Sequence, residues 1–372
     1  MSGRLPSASQ QKVLIPLLER LTRAIEELLL TGLVAVSEKS KQTLSVSFQE
    51  ASRNRLLRLG STLRVAVEEL ARYARNDPLF SRRRFTFFIN RAWMISRGLL
   101  HAIHTCDEKQ WRQLTWQAGG RAMPSLDLIN LGVIKKVVHN AFVAFEFRLR
   151  TVGDAHGIAS GTPMIWSTVF PIHAKAQVPP EAYLHLPMPQ KFKAADFLQG
   201  KVIRLGPVTV SEQGRISLDT ETRAELQGEP FSAWHKLLHW DKAAALSRIQ
   251  AHESGPFDLE IDLQEEVVLK EWQVGEPEEN DREQQRVYPI HTPEHVWHAS
   301  VAINEDNEAL HKLMQKFIGV KKKKPLFGVM HYEMCRLMYQ PLTIFGKSGP
   351  EPLMLSKEKF DPAALVKALN FT

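Results

Sequence analysis

Cysteine is scarce: Cys106 and Cys335 are the two in 372 residues, and they stand far apart. That excludes a disulfide framework and an all-cysteine zinc site, and it fits a reducing compartment. The chain has no apolar run of the roughly 18 residues a transmembrane helix needs, so no span is expected. Its opening, MSGRLPSASQQK, lacks the apolar stretch of a secretory signal, and a cytoplasmic protein is expected. Catalytic signatures are missing as well: there is no G-x-G-x-x-G, G-x-S-x-G or H-E-x-x-H. FGKSGP (345–350) ends like a phosphate-binding loop, but Pro341 stands where that loop needs glycine. A catalytic triad is set by geometry and not by spacing, so these absences weigh against an enzyme without closing the question. No cofactor is expected.

Charge is present in excess of one sign, and unevenly. The net charge is +7. Residues 1–150 hold 24 Lys+Arg against 12 Asp+Glu, a balance of +12. The rest holds 24 against 29, a balance of −5. Such an asymmetry points to two bodies with different surfaces, the basic one suited to nucleic acid, a membrane surface or an acidic protein.

The basic part reads as helices. In VLIPLLERLTRAIEELLLTG, Leu14, Leu17, Leu18, Leu21, Ile25, Leu28 and Leu29 step by threes and fours along one stripe, and Gly32 marks a stop. Pro16 is expected in the first turn, where its missing N–H costs nothing. A second helix is expected from about Ser47 to Ala74, ended by Pro78. A third begins at LFSRRRFTFFINRAW (79–93), with Ser81 as N-cap, and runs to about His104. DLINLGVIKKVVHNAFVAFEFRLR (127–150) fits either a helix or a pair of strands.

Beyond residue 151 the texture changes. KVIRLGPVTVSEQGRISLD reads as a hairpin turning at Gly214, FSAWHKLLHWDKAAALSRIQ (231–250) as helical, and FDLEIDL (257–263) as a half-buried strand. VGEPEENDREQQR (274–286) reads as an acidic surface loop or linker. The remainder mixes a helix over Asn307–Phe317, strand-like PLFGVMHYEM and PLTIFG, and a short helix after Asp361. The fold class is therefore α+β: a basic helical domain (1–150), a β-rich domain (151–273), the acidic linker (274–286) and a C-terminal α/β segment (287–372) packing with the β-rich part.

Five stretches are candidates for function. On a helix, Phe85, Phe88, Ile89, Ala92 and Trp93 share the inward stripe, which leaves Arg83, Arg84, Phe87 and Arg91 as an outward edge for an acidic partner or nucleic acid. Lys321, Lys322, Lys323 and Lys324 form a run able to grip phosphates, or to stay solvated beside a strand. HTPEH gives His291, Glu294 and His295 in the inverted zinc-protease spacing, with His298 three residues on; metal chemistry needs both histidines on one helical face, and Pro293 opposes a helix there. His235, His239 and Asp241 form a weaker trio. His101, His104 and Cys106 suit the end of the third helix better than a metal.

Taken in order, RLTRAIEELLLTGLVAV, SFQEASRNRLLRLGSTLRVAVEELARY and DPLFSRRRFTFFINRAWMISRGLLHAI resemble the helical region of bacterial SWIM-type zinc-finger proteins, matching at Leu21, Leu28, Gly32, Leu33, Phe48, Ala51, Leu56, Leu63, Val67 and Leu70. VIRLGPVTVSEQGRISLD and PLTIFGKSGPEPLMLS resemble later blocks of the same family. The C-x-C…C-x-H knuckle that names the family is missing, so metal-dependent binding is not implied. The resemblance implies a non-enzymatic subunit or adaptor of a chaperone-like or conflict (defence) machinery. Its implied partners are a MoxR-type AAA+ ATPase and a von Willebrand factor A protein. Two alternatives stand beside it: a nucleic-acid-binding subunit using the basic helices, and a metal-dependent hydrolase using HTPEH. No membrane partner is expected.

Overall fold

The computed structural model describes residues 5–33, 38–78, 80–115, 120–138, 142–172, 178–211, 213–238, 242–251, 264–280, 285–303, 307–320, 324–333, 336–346 and 349–356. The α+β class is as expected: helices first, then sheets. The described residues divide into two compact units, a helical one within 5–115 and a strand-rich one within 120–356. The division falls at 119/120 and not at 150, because 120–151 is strand and pairs with strands later in the chain.

In the helical unit, α1 (Ala8–Thr31) starts at a capping box in which Ser7 and Gln10 exchange bonds. Leu14, Leu17, Leu18, Leu21, Ile25 and Leu28 are buried along it, and Gly32 closes it onto the Leu28 carbonyl. Pro16 is not in the first turn but inside the helix, where it faces solvent. The long second helix expected from Ser47 is instead two, α2 (Glu38–Arg53) and α3 (Leu57–Ala74). Arg55 takes φ 58 between them, with Leu56 N–H on the Ala51 carbonyl and Arg55 N–H on the Ser52 carbonyl. That nested pair of bonds is a helix terminator. The same motif ends α3 at Asn76 (φ 53) and α4 (Arg82–His104) at Cys106 (φ 56). Ser81 caps α4 by accepting from Arg84 N–H, as expected. A short α5 (Glu108–Thr115) comes next, tied to α3 by Arg58, which donates to the Gln113 carbonyl at 3.2 Å.

The second unit opens with β1 (Gly120–Met123), β2 (Leu126–Val138), β3 (Phe142–Thr151) and β4 (Pro163–Pro171). The open reading of 127–150 resolves as the antiparallel pair β2–β3. Two 3₁₀ turns, Pro180–His185 and Ala194–Leu198, lead to β5 (Val202–Ser211) and β6 (Arg215–Gln227). The hairpin expected at Gly214 is present; its φ is 72, and a Cβ there would stand 2.7 Å from the Pro163 carbonyl oxygen. Pairing runs β2–β3–β4–β6–β5 and returns to β2, with β4–β6 parallel and the other pairs antiparallel. The strands therefore close a five-stranded barrel.

After α6 (Trp234–Leu237) and α7 (Lys242–Ala251) comes a second set: β7 (Glu265–Leu269), β8 (Gln273–Val274), β9 (Glu278–Asn280), β10 (Gln285–His291), β11 (Val296–Ala302), α8 (Glu308–Phe317), β12 (Leu326–Glu333), β13 (Arg336–Gly346) and β14 (Gly349–Pro352). β7 and β8 act as one broken strand, the first pairing β12 and the second β10. The ring is β7/β8–β10–β11–β13–β12, closed again by β7, and its β11–β13 pair is parallel. Both rings have the strand order 1-2-3-5-4-1, a parallel 3–5 contact, and the helical segment between strands 3 and 4. That is the Greek-key barrel of the OB-fold, here in tandem. Part of the acidic linker expected at 274–286 is thus strand, since β9 pairs β10. The strand expected over 257–263 and the helix after Asp361 lie outside the described residues.

The first barrel is filled by Phe145, Phe147, Trp166, Phe192 and Phe197, with Phe147 and Phe197 stacked on Trp166 at 5.1 and 4.8 Å. The second is filled by Tyr288, Ile290, Trp297, Tyr339 and Met330. Ile129 and Leu131 of β2 join the second core, and a Cβ on Gly132 would meet Leu342 at 2.9 Å, so the two barrels pack directly.

Candidate functional site

Of the edge expected on α4, Arg83, Arg84 and Phe87 are exposed and Arg91 is buried. Glu69 of α3 is buried. Its carboxylate accepts from Arg72 at 2.8 Å and from Ser81 N–H at 2.8 Å, and it lies 3.4 Å from Arg84. Arg84 is thus bound into the joint between α3 and α4. Arg91 is buried, and does not share an outward face with Arg84. The expected exposure fails at Arg91 alone, because α4 is covered there on more than its aromatic stripe. Arg83 and Phe87 are exposed; Phe87 meets Phe88 edge-on at 5.2 Å.

HTPEH is a hairpin turn, not a helix. Thr292 N–H donates to the His295 carbonyl at 2.9 Å, and His295 N–H donates to Thr292 Oγ1 at 3.1 Å. His291 ends β10 opposite Val296, whereas the His295 ring lies 6.1 Å from Trp297 on the other side of β11. The two histidines therefore fall on opposite faces of the hairpin, which removes the geometry that a shared metal needs. Glu294 is exposed at the tip, and His298 is half-buried on β11. Among the described residues no three His, Cys, Asp or Glu side chains converge on a common point. His101 and His104 occupy the last turn of α4, with Cys106 exposed just past it. His235 is exposed on α6, while His239 and Asp241 lie outside the described residues. So do Lys321, Lys322 and Lys323; Lys324 is exposed, and its carbonyl accepts from Trp272 Nε1 at 2.8 Å.

Barrels of this kind use the outward face of strands 2 and 3 for ligands. In the first barrel that face carries Glu146, Arg148 and Arg150 on β3, alternating with inward Phe145, Phe147 and Leu149. Both arginines are nonetheless buried. Arg150 pairs with Glu266 of β7, and Arg148 approaches Glu266 at 3.9 Å, bonds Gln264 and reaches Glu146 at 2.5 Å. Nearby, Lys135 and Glu181 form a pair at 2.7 Å, and Ser356 N–H donates to the same carboxylate at 3.0 Å. Arg148 and Arg150 join barrel to barrel, whereas Lys135 and Glu181 both belong to the first barrel. In the second barrel the corresponding outward positions are Pro289, His291, Val296 and His298, next to Glu278 and Glu279 of β9. Among the described residues neither face presents a row of exposed cations. Sequence alone carried a trace of the first arrangement, in the alternation of FEFRLR, but no sign of Glu266 as its partner.

The helical unit shows a different surface. Leu30 (88%), Leu57 (56%), Val13 (54%), Leu29, Phe87 and Val46 are exposed large apolar side chains. A groove of about 450 Å³ opens between α2 and α3, lined by Lys41, Gln42, Ser45, Val46, Val67, Leu70 and Ala71. A second hollow of about 310 Å³ lies beside the HTPEH turn, between β7 and Trp297.

No family model matches the chain, and neither does any curated protein. Among solved structures, one described as "Structural mimicry for functional antagonism" is 10% identical with a TM-score of 0.31, covering 60% of this chain and 91% of its own. A murine DNA-binding protein bound to double-stranded DNA is 9% identical with a TM-score of 0.27, at 60% and 93% coverage. The tetrameric p202 HIN2 structure is 7% identical with a TM-score of 0.30, at 63% and 94% coverage. Likeness at this level carries no argument about function.

Proposed function

We propose that the chain is a non-enzymatic binding subunit of a multiprotein assembly, with the helical unit as its docking body. The observation that carries this reading is the set of exposed apolar side chains on that unit, together with the α2–α3 groove. Exposed apolar side chains taken singly are ordinary on a protein surface, and it is the open apolar groove that marks an interaction site. The barrel unit supports the same reading as a rigid scaffold: its strand-2 arginines are consumed in joining the barrels. The resemblance to SWIM-type proteins names the partners to test, a MoxR-type AAA+ ATPase and a von Willebrand factor A protein. Co-expression of the three, then size exclusion, is expected to give a stable complex; a clean monomer in their presence overturns the reading.

A second reading, nucleic-acid binding, is favoured by charge. Residues 1–119 hold 19 Lys+Arg and 10 Asp+Glu, a balance of +9, and Arg82, Arg83, Lys109 and Arg112 are exposed. Affinity resting on phosphate contacts falls steeply between about 50 and 200 mM salt. Filter binding with single- and double-stranded probes at both concentrations tests it, and no retention at low salt ends it. The HTPEH hairpin gives the hydrolase reading no metal-binding geometry to rest on.

A further inference from the structure

The outer wall of the second barrel carries one row of residues unlike the rest. His298 of β11 pairs with Met338 of β13, and Met338 pairs in turn with His331 of β12. Direct partners on neighbouring strands point to the same side of a sheet. That side is outward: Trp297 and Ala299 flank His298, Tyr339 follows Met338 and Met330 precedes His331, and all four belong to the barrel's apolar core. The row therefore runs imidazole, thioether, imidazole across three strands, each about 4.8 Å from the next. Met338 is its odd member. A buried methionine ordinarily fills a gap in a core. This one is 4% exposed, yet it belongs to none of the three apolar cores and points away from the nearest, between two half-buried histidines. No third His, Cys, Asp or Glu among the described residues completes a site with those two. The row thus offers two neutral ring nitrogens and one sulfur, with no anionic donor. Hard cations such as calcium and magnesium take oxygen ligands. A divalent ion would keep its whole charge on such a set, half-buried and uncompensated. Thioether and imidazole together suit a soft ion of low charge.

We propose that His298, Met338 and His331 form a three-coordinate site for a soft monovalent cation, cuprous copper. The two imidazoles lean in from the flanking strands, and the Met338 sulfur lies between them. The site stands apart from the helical unit, so it holds whether or not that unit docks a partner.

Anaerobic titration of the full chain with cuprous copper against a chromogenic chelator tests it. Cys106→Ser and Cys335→Ser form the background, so that no thiolate competes for the ion. One equivalent is expected to bind. Met338→Leu nearly conserves side-chain volume, so its circular-dichroism melt is expected to match the background chain. Its affinity for the ion is expected to fall at least about tenfold, the loss that even an outer-shell partner of a metal ligand causes. His298→Ala and His331→Ala are each expected to show the same loss. Silver(I), a redox-silent stand-in for cuprous copper, gives a second readout in the methyl spectra of the ten methionines. One resonance, the one absent from Met338→Leu, is expected to move on addition of one equivalent. No stoichiometric binding, binding indifferent to Met338→Leu, or shifts spread over several methionine methyls overturns the proposal. Binding seen in the parent chain but lost on replacing the cysteines overturns it too, because a thiolate then holds the ion.

Discussion

The two barrels have one strand order and two different interiors. The first is packed with aromatic rings that carry little polarity, Phe147 and Phe197 stacked on Trp166. The second sets its aromatics with a polar end inside: Tyr288 Oη lies 3.0 Å from His311 Nδ1, and Tyr339 Oη donates to the Leu326 carbonyl at 2.9 Å. The segment between strands 3 and 4 is a pair of 3₁₀ turns in one and α8 in the other. Outward, the first barrel spends its strand-2 arginines on Glu266, while the second leaves histidines and carboxylates near solvent. Shared topology thus fixes neither what fills a barrel nor what its face can bind, which is why function has to be argued from surfaces.

Breaking the first barrel's filling gives the largest effect. Trp166→Ala removes a ring stacked on two others, at a cost of about 3–5 kcal/mol. Denaturant unfolding measures it, and a loss below about 1 kcal/mol would mean that the stack relaxes around the gap. The joint between the barrels comes close behind. Glu266→Ala strips a half-buried carboxylate from Arg150, at about 3–5 kcal/mol, because the Arg150 charge stays buried without it, while Arg148 keeps Glu146. Arg150→Met combined with Glu266→Leu is expected to recover most of that loss, since removing both charges of the pair also removes their desolvation cost, and Arg148 keeps Glu146.

The polar interior of the second barrel is sharpened by pH. Burial raises both tyrosines above their ordinary value near 10, Tyr339 well above it. A group whose folded-state pKa is raised lends stability that is complete below its unfolded value and is lost as pH rises through the folded one. Alkaline unfolding is therefore expected above about pH 10, with these two phenols ionising only as the chain unfolds. Ultraviolet titration at the phenolate band would show it, and smooth titration of all five tyrosines before unfolding would refute it. Tyr339→Phe leaves the Leu326 carbonyl short of a donor and costs about 1–3 kcal/mol. The smallest effect belongs to the helical unit, where no barrel logic applies. Cys106→Gly relieves a left-handed residue at the end of α4, for a net gain below about 1 kcal/mol, read as a shift in melting temperature.

Much of the helical unit was legible because its signals are local. Ser81 as a cap, Gly32 as a stop and the stripe from Leu14 to Leu28 each depend on residues within a turn or two. The break at Arg55 escapes a sequence reading because arginine gives no hint of a positive φ; glycine would have. Arg91 is misplaced by such a reading because one helix's periodicity shows which residues share a face, not how many faces its neighbours cover. HTPEH is ambiguous by spacing, which is the same on paper in a helix and in a turn; Pro293 speaks against the helix, and Thr292 bonding His295 decides for the turn.

By itself the sequence determined the α+β class, the order of helices before strands, the Gly214 hairpin and the uneven charge. These arise from composition, periodicity and turn chemistry, which act over a few residues. Tertiary structure decided the rest: that β4 and β6, and β11 and β13, close two rings of the same order; that Glu69 takes Arg84 and Glu266 takes Arg150; and that α2 and α3 leave a groove between them. Each of these joins residues far apart in the chain, and such pairings are chosen by burial and charge compensation across elements, which no local pattern records.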